Sequence, residues 1–317
     1  MHAETYGGTP PGRSREQILG ELAAVRRRTL ELIAPLSEQA LLMQHSPLMS
    51  PIVWDLCHIA EFEDLWLVRR LGEASGESEL ERTFDATRTP RAERGALGLP
   101  DRSEALDRLA SVRSATTRKL GQVDVGASEN PLLRDGFVYE LVREHEAQHQ
   151  ETIVQTILLI EDEAYSPGAD AAADAASPRV ESTMLRVPAG PFEMGAGERR
   201  FAYDNERPRH TVHVADYEIG RFPVSNGEYL EFVASGGYAD RRLWTDAGWE
   251  WKERAGLTCP RYWRIGESSG EPDTTDASAE AARAGIGEWR RTTSVGTTGL
   301  RSNEPVMHVC FHEAQAY

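Results

Sequence analysis

Cysteine is scarce in this sequence: Cys57, Cys259 and Cys310 are the only three in 317 residues. Their odd number and wide spacing imply neither a disulfide framework nor a cysteine-based zinc cluster. Positive charge is also in short supply, with 35 Lys+Arg against 51 Asp+Glu and a formal net charge of −16. Phosphate backbones and anionic lipids repel so acidic a chain, so neither nucleic acid nor a membrane surface is expected as a partner. No apolar run approaches the roughly 18 residues of a membrane span. The polar, Gly/Pro-rich start of the chain lacks the apolar segment of a secretory signal. These absences together point to a reducing, cytoplasmic location. A phosphate-binding loop, a dinucleotide fingerprint and a Ser-His-Asp signature are missing as well.

What is present suffices for a core: 40% of residues are hydrophobic and 27% charged. At roughly 100–200 residues per domain, the length suggests about two domains. The first half reads as helices. Ser14 and Gln17 form a capping box ahead of Ile18, Leu22, Val25, Leu32 and Ile33 at helical spacing. A second helix is predicted from Ser50-Pro51 through Trp54, His58 and Phe62 to Leu71, with Gly72 as its stop. A polar stretch holding Arg88, Arg91 and Arg94 follows. A third helix is predicted over 101–120 and a fourth from Asn130-Pro131 to about Ile160. Four long helices with one long crossover suggest a four-helix bundle, a fold that builds metal sites from inward-facing side chains.

Residues 166–180 are rich in Ala, Asp and Pro and read as a linker. Beyond them the texture changes to short β-prone runs (185–188 and 210–214), frequent Gly, Pro, Trp and Tyr, and one brief helical pattern at 225–235. The second half is therefore expected to be α+β with long loops. The expected division is 14–165, a linker at 166–180, and 181–317. The final run, PVMHVCFHEAQAY, reads as a strand followed by a helix opening without cap or polar tail. The sequence is thus expected to be a truncated form of a longer protein.

His145 and His149 lie in the run HEAQHQE. Residues four apart on a helix differ by roughly 40° around its axis, so the two share a face. Two imidazoles on one face grip a divalent metal, though polar histidines on a solvated face share this spacing. We read the run as a metal grip and not as a peptidase motif, with Glu151 pointing elsewhere. His58, four after Trp54 and four before Phe62, lies on the core face of its helix and needs a metal or a hydrogen-bond partner there. Three neutral imidazoles leave a cation its full charge and open positions for a substrate and O₂, or for an activated water. Ligand type alone leaves Fe(II), Zn(II), Ni(II) and Co(II) open. Arg91 and Arg94 are spaced to clamp a carboxylate, and Arg88 offers a second pair at the same spacing. Trp244, Trp249, Trp251, Trp263 and Trp289 are expected mainly in packing, and His210 and His213 on the outer face of a strand.

The stretches DLCHIAEFE (55–63), RAERG (91–95), HEAQHQE (145–151), VPAGPF (187–192), DNERP (204–208) and EPVMHV (304–309) occur in one order across almost the whole chain. In these the sequence resembles the iron-dependent sulfoxide synthases of ergothioneine biosynthesis, the EgtB type. The resemblance implies a multidomain fold, α plus α+β: a DinB-like four-helix bundle followed by a partial domain of the formylglycine-generating-enzyme (sulfatase-modifying factor) type, related to C-type lectins. It implies an oxidoreductase that uses Fe(II) and O₂ to join the thiol of γ-glutamylcysteine, or cysteine, to C2 of the hercynine imidazole. It implies His58, His145 and His149 as iron ligands, Gln148 beside hercynine, and Arg91 and Arg94 on carboxylates of γ-glutamylcysteine. The family's proton-donating tyrosine is expected beyond Tyr317. Rival readings are a DinB-like metal-dependent thiol transferase or hydrolase, and a non-catalytic binding protein.

Overall fold

Two capping boxes set the starts of long helices. Ser14 Oγ accepts from the Gln17 amide while Gln17 Oε1 accepts from the Ser14 amide, opening α1 (Arg15–Ile33). Asp101 and Glu104 do the same for α5 (Arg102–Leu120). Between them lie α2 (Glu38–Leu42), α3 (Ile52–Glu63) and α4 (Glu79–Phe84). The computed structural model describes residues 13–72, 79–125, 129–160, 182–197, 201–266, 286–294 and 296–317. The linker expected at 166–180 lies outside them. Contacts divide the chain into two units, 1–167 with 193–211 and 168–192 with 212–317.

The second predicted helix is not uniform. The α-helix ends at Glu63, and Asp64–Arg69 widens into a π-helical turn, with the Arg70 amide donating to Leu65 O at 2.9 Å. The fourth helix, α6 (Phe137–Ile157), begins later than its sequence signal. Asn130 accepts amides of the following turn, a 3₁₀ turn spans Arg134–Gly136, and Gly136 turns the chain at φ +74°. That left-handed conformation favours glycine. Helices α1, α3, α5 and α6 pack together, with α3 against both α5 and α6 and α1 against α6. Trp54, Leu56, Ile59, Leu109 and Ile153 lie in one of their buried clusters.

In the second unit, β1 (Met184–Val187) pairs antiparallel with β4 (Tyr217–Gly220). A three-stranded antiparallel sheet runs β5 (Trp263–Ile265), β6 (Trp289–Thr293), β7 (Gly296–Gly299). β2 (Gly190–Met194) pairs with β3 (His210–Val214), where His210 and His213 are exposed as expected. The predicted helix at 225–235 is α7 (Asn226–Ala234), capped by Ser225. Among the described residues, α8 (Asp246–Ala255) and α9 (Phe311–Ala316) follow. The strand expected ahead of α9 is only an isolated bridge, Pro305 to Ser225. Trp244, Trp263 and Trp289 are buried in the core with Tyr229, and Trp249 and Trp251 pack against it, so the tryptophans serve packing.

Candidate metal centre and substrate cavity

Trp54, His58 and Phe62 recur every four residues on α3 and share one face. Trp54 stacks on His58 at 4.9 Å between ring centroids, and Phe62 lies 6.4 Å away on the other side. On α6, His145 and His149 share a face, 4.6 Å apart, and Phe62 stacks on His145 at 3.6 Å. Packing α3 on α6 places His58 4.9 Å from His145 and 4.8 Å from His149. One nitrogen of each ring lies within 4.8 Å of the others.

The donors fit a divalent cation. His58 Nδ1 is 2.5 Å from Phe84 O. A carbonyl only accepts, so Nδ1 carries the hydrogen and Nε2 keeps the lone pair. That Nε2 faces His145 Nε2 at 3.1 Å. Two metal–imidazole bonds of about 2.1 Å meeting near a right angle separate their nitrogens by about 3 Å. His149 Nδ1 is buried without a well-formed hydrogen bond, 3.3 Å from Asp55 Oδ1.

Electrostatics keep His58 and His145 neutral. Burial first, then His149, push His58 down to about 4. Burial, with His149 and His58, holds His145 well below the usual histidine range. Between about 6.5 and 4 the unfolded chain therefore binds a proton at His58 that the folded chain refuses. Stability of the metal-free protein is expected to fall as the pH drops through this window, by about 2 kcal/mol from His58 alone between pH 7 and pH 5. Thermal unfolding at the two pH values checks this, and an unchanged midpoint would contradict it.

The arginines come from a 3₁₀ segment, Arg91–Ala96. Three residues per turn eclipse positions i and i+3, so Arg91 and Arg94 face one way. Arg94 is only 4% exposed. Its Nε donates to Thr89 O at 3.0 Å and its Nη1 to Ser50 Oγ at 2.7 Å, and its guanidinium lies 3.5 Å over the Trp54 ring. These acceptors are neutral, so its charge is not locally cancelled by them. Arg88 instead pairs with Asp85 at 3.3 Å. Arg91, Arg94, Gln148 and the three histidines all line one cavity of about 370 Å³, and Arg88 does not.

Glu146 and Asp55 take places in the structure that the sequence spacing does not reveal. Letter by letter, 145–149 is the H-E-x-x-H of zinc proteases, so spacing alone does not set a peptidase aside. The structure removes its base: Glu146 is 1% exposed, does not line the cavity, and accepts from Arg26 Nε at 2.7 Å and Thr29 Oγ1 at 2.8 Å. Asp55, which the sequence places in a matching stretch but gives no role, is 3% exposed and lines the cavity. The signal was its place three residues before His58, which puts both on one helix face.

Residues 21–153 match the DinB superfamily, and residues 170–317 match the sulfatase-modifying factor enzyme 1-like domain. The chain is 37% identical over 313 residues to a hercynine oxygenase of Mycolicibacterium smegmatis, covering 96% of this chain and 65% of that protein. A hercynine oxygenase of Mycolicibacterium thermoresistibile is 37% identical over 310 residues, 96% of this chain and 62% of the relative. One of Mycobacterium tuberculosis is 37% identical over 313 residues, 96% of this chain and 66% of the relative. The chain thus spans slightly less than two thirds of the length of these relatives.

Proposed function

The chain belongs to the family that joins a DinB superfamily domain to a sulfatase-modifying factor enzyme 1-like domain, and on that premise we propose that it serves an iron(II)- and O₂-dependent sulfoxide synthase. The reaction joins the thiol of γ-glutamylcysteine, or cysteine, to C2 of the hercynine imidazole. The observation that carries this reading is the convergence of three histidines, a glutamine and two arginines on one cavity.

His58, His145 and His149 would hold Fe(II), which when bound supplies O₂ activation and stabilises a thiolate at neutral pH. His58 is kept in the tautomer that offers Nε2 by its hydrogen bond to Phe84 O. Trp54 and Phe62 wall the rings and keep water from their faces. Gln148, one residue before His149 and on the same cavity, has the amide to hydrogen-bond an imidazole substrate. Arg91 and Arg94 offer two guanidiniums, which suit the two carboxylates of γ-glutamylcysteine better than the single one of cysteine. A zinc-peptidase reading lacks the glutamate base of its motif, because Glu146 is committed to Arg26 and Thr29. Three free thiols, Cys57 fully buried among them, suit a reducing cytoplasm, and no helix among the described residues is long and apolar enough to cross a membrane.

A protein that carries this chain together with the family's proton-donating tyrosine, loaded with Fe(II) and given hercynine, γ-glutamylcysteine and O₂, is expected to yield the sulfoxide conjugate by mass spectrometry. Product formed equally without O₂ would overturn the oxidative reading. Calorimetry tests the donor separately: γ-glutamylcysteine should bind at least about tenfold tighter than cysteine, and Arg94→Met should erase most of that difference. Equal binding of both donors to the wild type would overturn the preference for γ-glutamylcysteine.

A further inference from the structure

The metal reading rests on three histidines, yet the cavity has one acidic lining residue that this reading leaves without a role. Asp55 is the only carboxylate among the cavity's lining residues. It is 3% exposed, and its Oδ1 lies 3.3 Å from His149 Nδ1. It sits on α3 one turn before His58, whereas His149 sits on α6. The contact therefore ties a histidine of one helix to the helix that carries another.

Charge and tautomer both give this contact meaning. A buried carboxylate is costly unless it is paired or hydrogen-bonded. Beside the buried Arg94, which lines the same cavity, a divalent ion would add two more positive charges, and Asp55 offsets part of them. A carboxylate facing Nδ1 favours the tautomer with hydrogen on Nδ1, leaving Nε2 as the donor. Phe84 O sets His58 in that way from a different element. Partners of this kind orient a histidine and raise its basicity as a ligand, and losing one costs about 10–100-fold in metal affinity.

We propose that Asp55 is the positioning residue of His149: its carboxylate accepts from Nδ1, fixes the ring's tautomer and setting, and tightens the grip of the three-histidine site on a divalent cation. This rests on the three-histidine reading above.

Co(II) is the probe, because its visible absorption reports coordination as well as occupancy. The full chain, wild type, Asp55→Asn, Asp55→Ala and His149→Ala, would be titrated with Co(II) against a chromophoric chelator, after circular dichroism establishes folding. Asp55→Ala is expected to weaken Co(II) by about 10–100-fold and to shift the bands. Asp55→Asn keeps an oxygen that accepts from Nδ1, and is expected to recover much of the loss. Should Asp55→Ala not fold, the asparagine variant carries the test alone, with a weakening of a few-fold expected. Affinity within twofold of wild type and unchanged bands in the folded Asp55 variants would overturn the proposal. So would an Asp55→Asn as weak as His149→Ala, which would make Asp55 a ligand. A wild type that takes no Co(II) at all would instead refute the metal reading itself, and the role of Asp55 with it.

Discussion

Glu146→Ala is expected to destabilise the helical unit by about 3–5 kcal/mol, because it leaves a buried guanidinium short of its partner. Each of the four long helices contributes one residue to a single buried ion network: Arg26 from α1, Glu63 from α3, Arg113 from α5 and Glu146 from α6. Arg26 donates to Glu146 at 2.7 and 3.2 Å, to Glu63 at 2.9 Å and to Leu109 O at 3.1 Å. Arg113 donates to Glu63 at 2.7 and 3.0 Å. Burial pushes the Glu63 carboxyl up, but Arg113 and Arg26 outweigh it and hold it below the usual carboxylate range. Its contribution is therefore present at neutral pH and is lost as the pH falls below the ordinary glutamate range and through the lowered value of the folded state. Urea unfolding of the wild type and Glu146→Ala, followed by helical circular dichroism, measures the effect. Joint replacement, Arg26→Met with Glu146→Leu, should recover much of the loss, since no charge is then buried alone. A shift below about 1 kcal/mol in the single variant would show that the network does not hold the helices.

The second large effect concerns the metal. His145→Ala is expected to reduce Fe(II) affinity by at least about a hundredfold, since loss of a supporting partner alone costs up to that much. His145 is the sharpest probe of the three. Its Nε2 opposes His58 Nε2 at 3.1 Å, and its ring is sandwiched against Phe62, so its removal takes away a donor without breaking a helix. Anaerobic loading followed by colorimetric chelation should find about one Fe(II) per chain in the wild type and almost none in the variant. His213→Ala, on an exposed strand position, is the control and should load like the wild type. One retained equivalent within tenfold of wild-type affinity would exclude His145 as a ligand.

Much of the fold was legible because its signals are local. The Ser14, Asp101 and Ser225 caps are side chains bonding to amides three residues on, and a reader of the sequence sees both partners. Apolar spacing likewise gives α1, α5 and α7. The π-helical widening after Glu63 and the delayed start of α6 were not legible, because tertiary packing and the Gly136 turn decide them.

The site divides in the same way. Sequence by itself determined which residues have the right chemistry: His58 on an apolar helix face, His145 and His149 on another, and two arginines at a fixed spacing. Spacing within one helix needs only the helical period. Only the tertiary structure decided that the two faces meet, that Arg94 and not Arg88 turns into the same cavity, and that Glu146 is drawn away from it into a four-helix ion network. Asp55 belongs to this second class, since its partner lies on a different helix, 94 residues along the chain (149 − 55). Burial and cross-helix contact are properties of the packed molecule, and no periodicity along the chain encodes which side chain a distant helix will bring beside it.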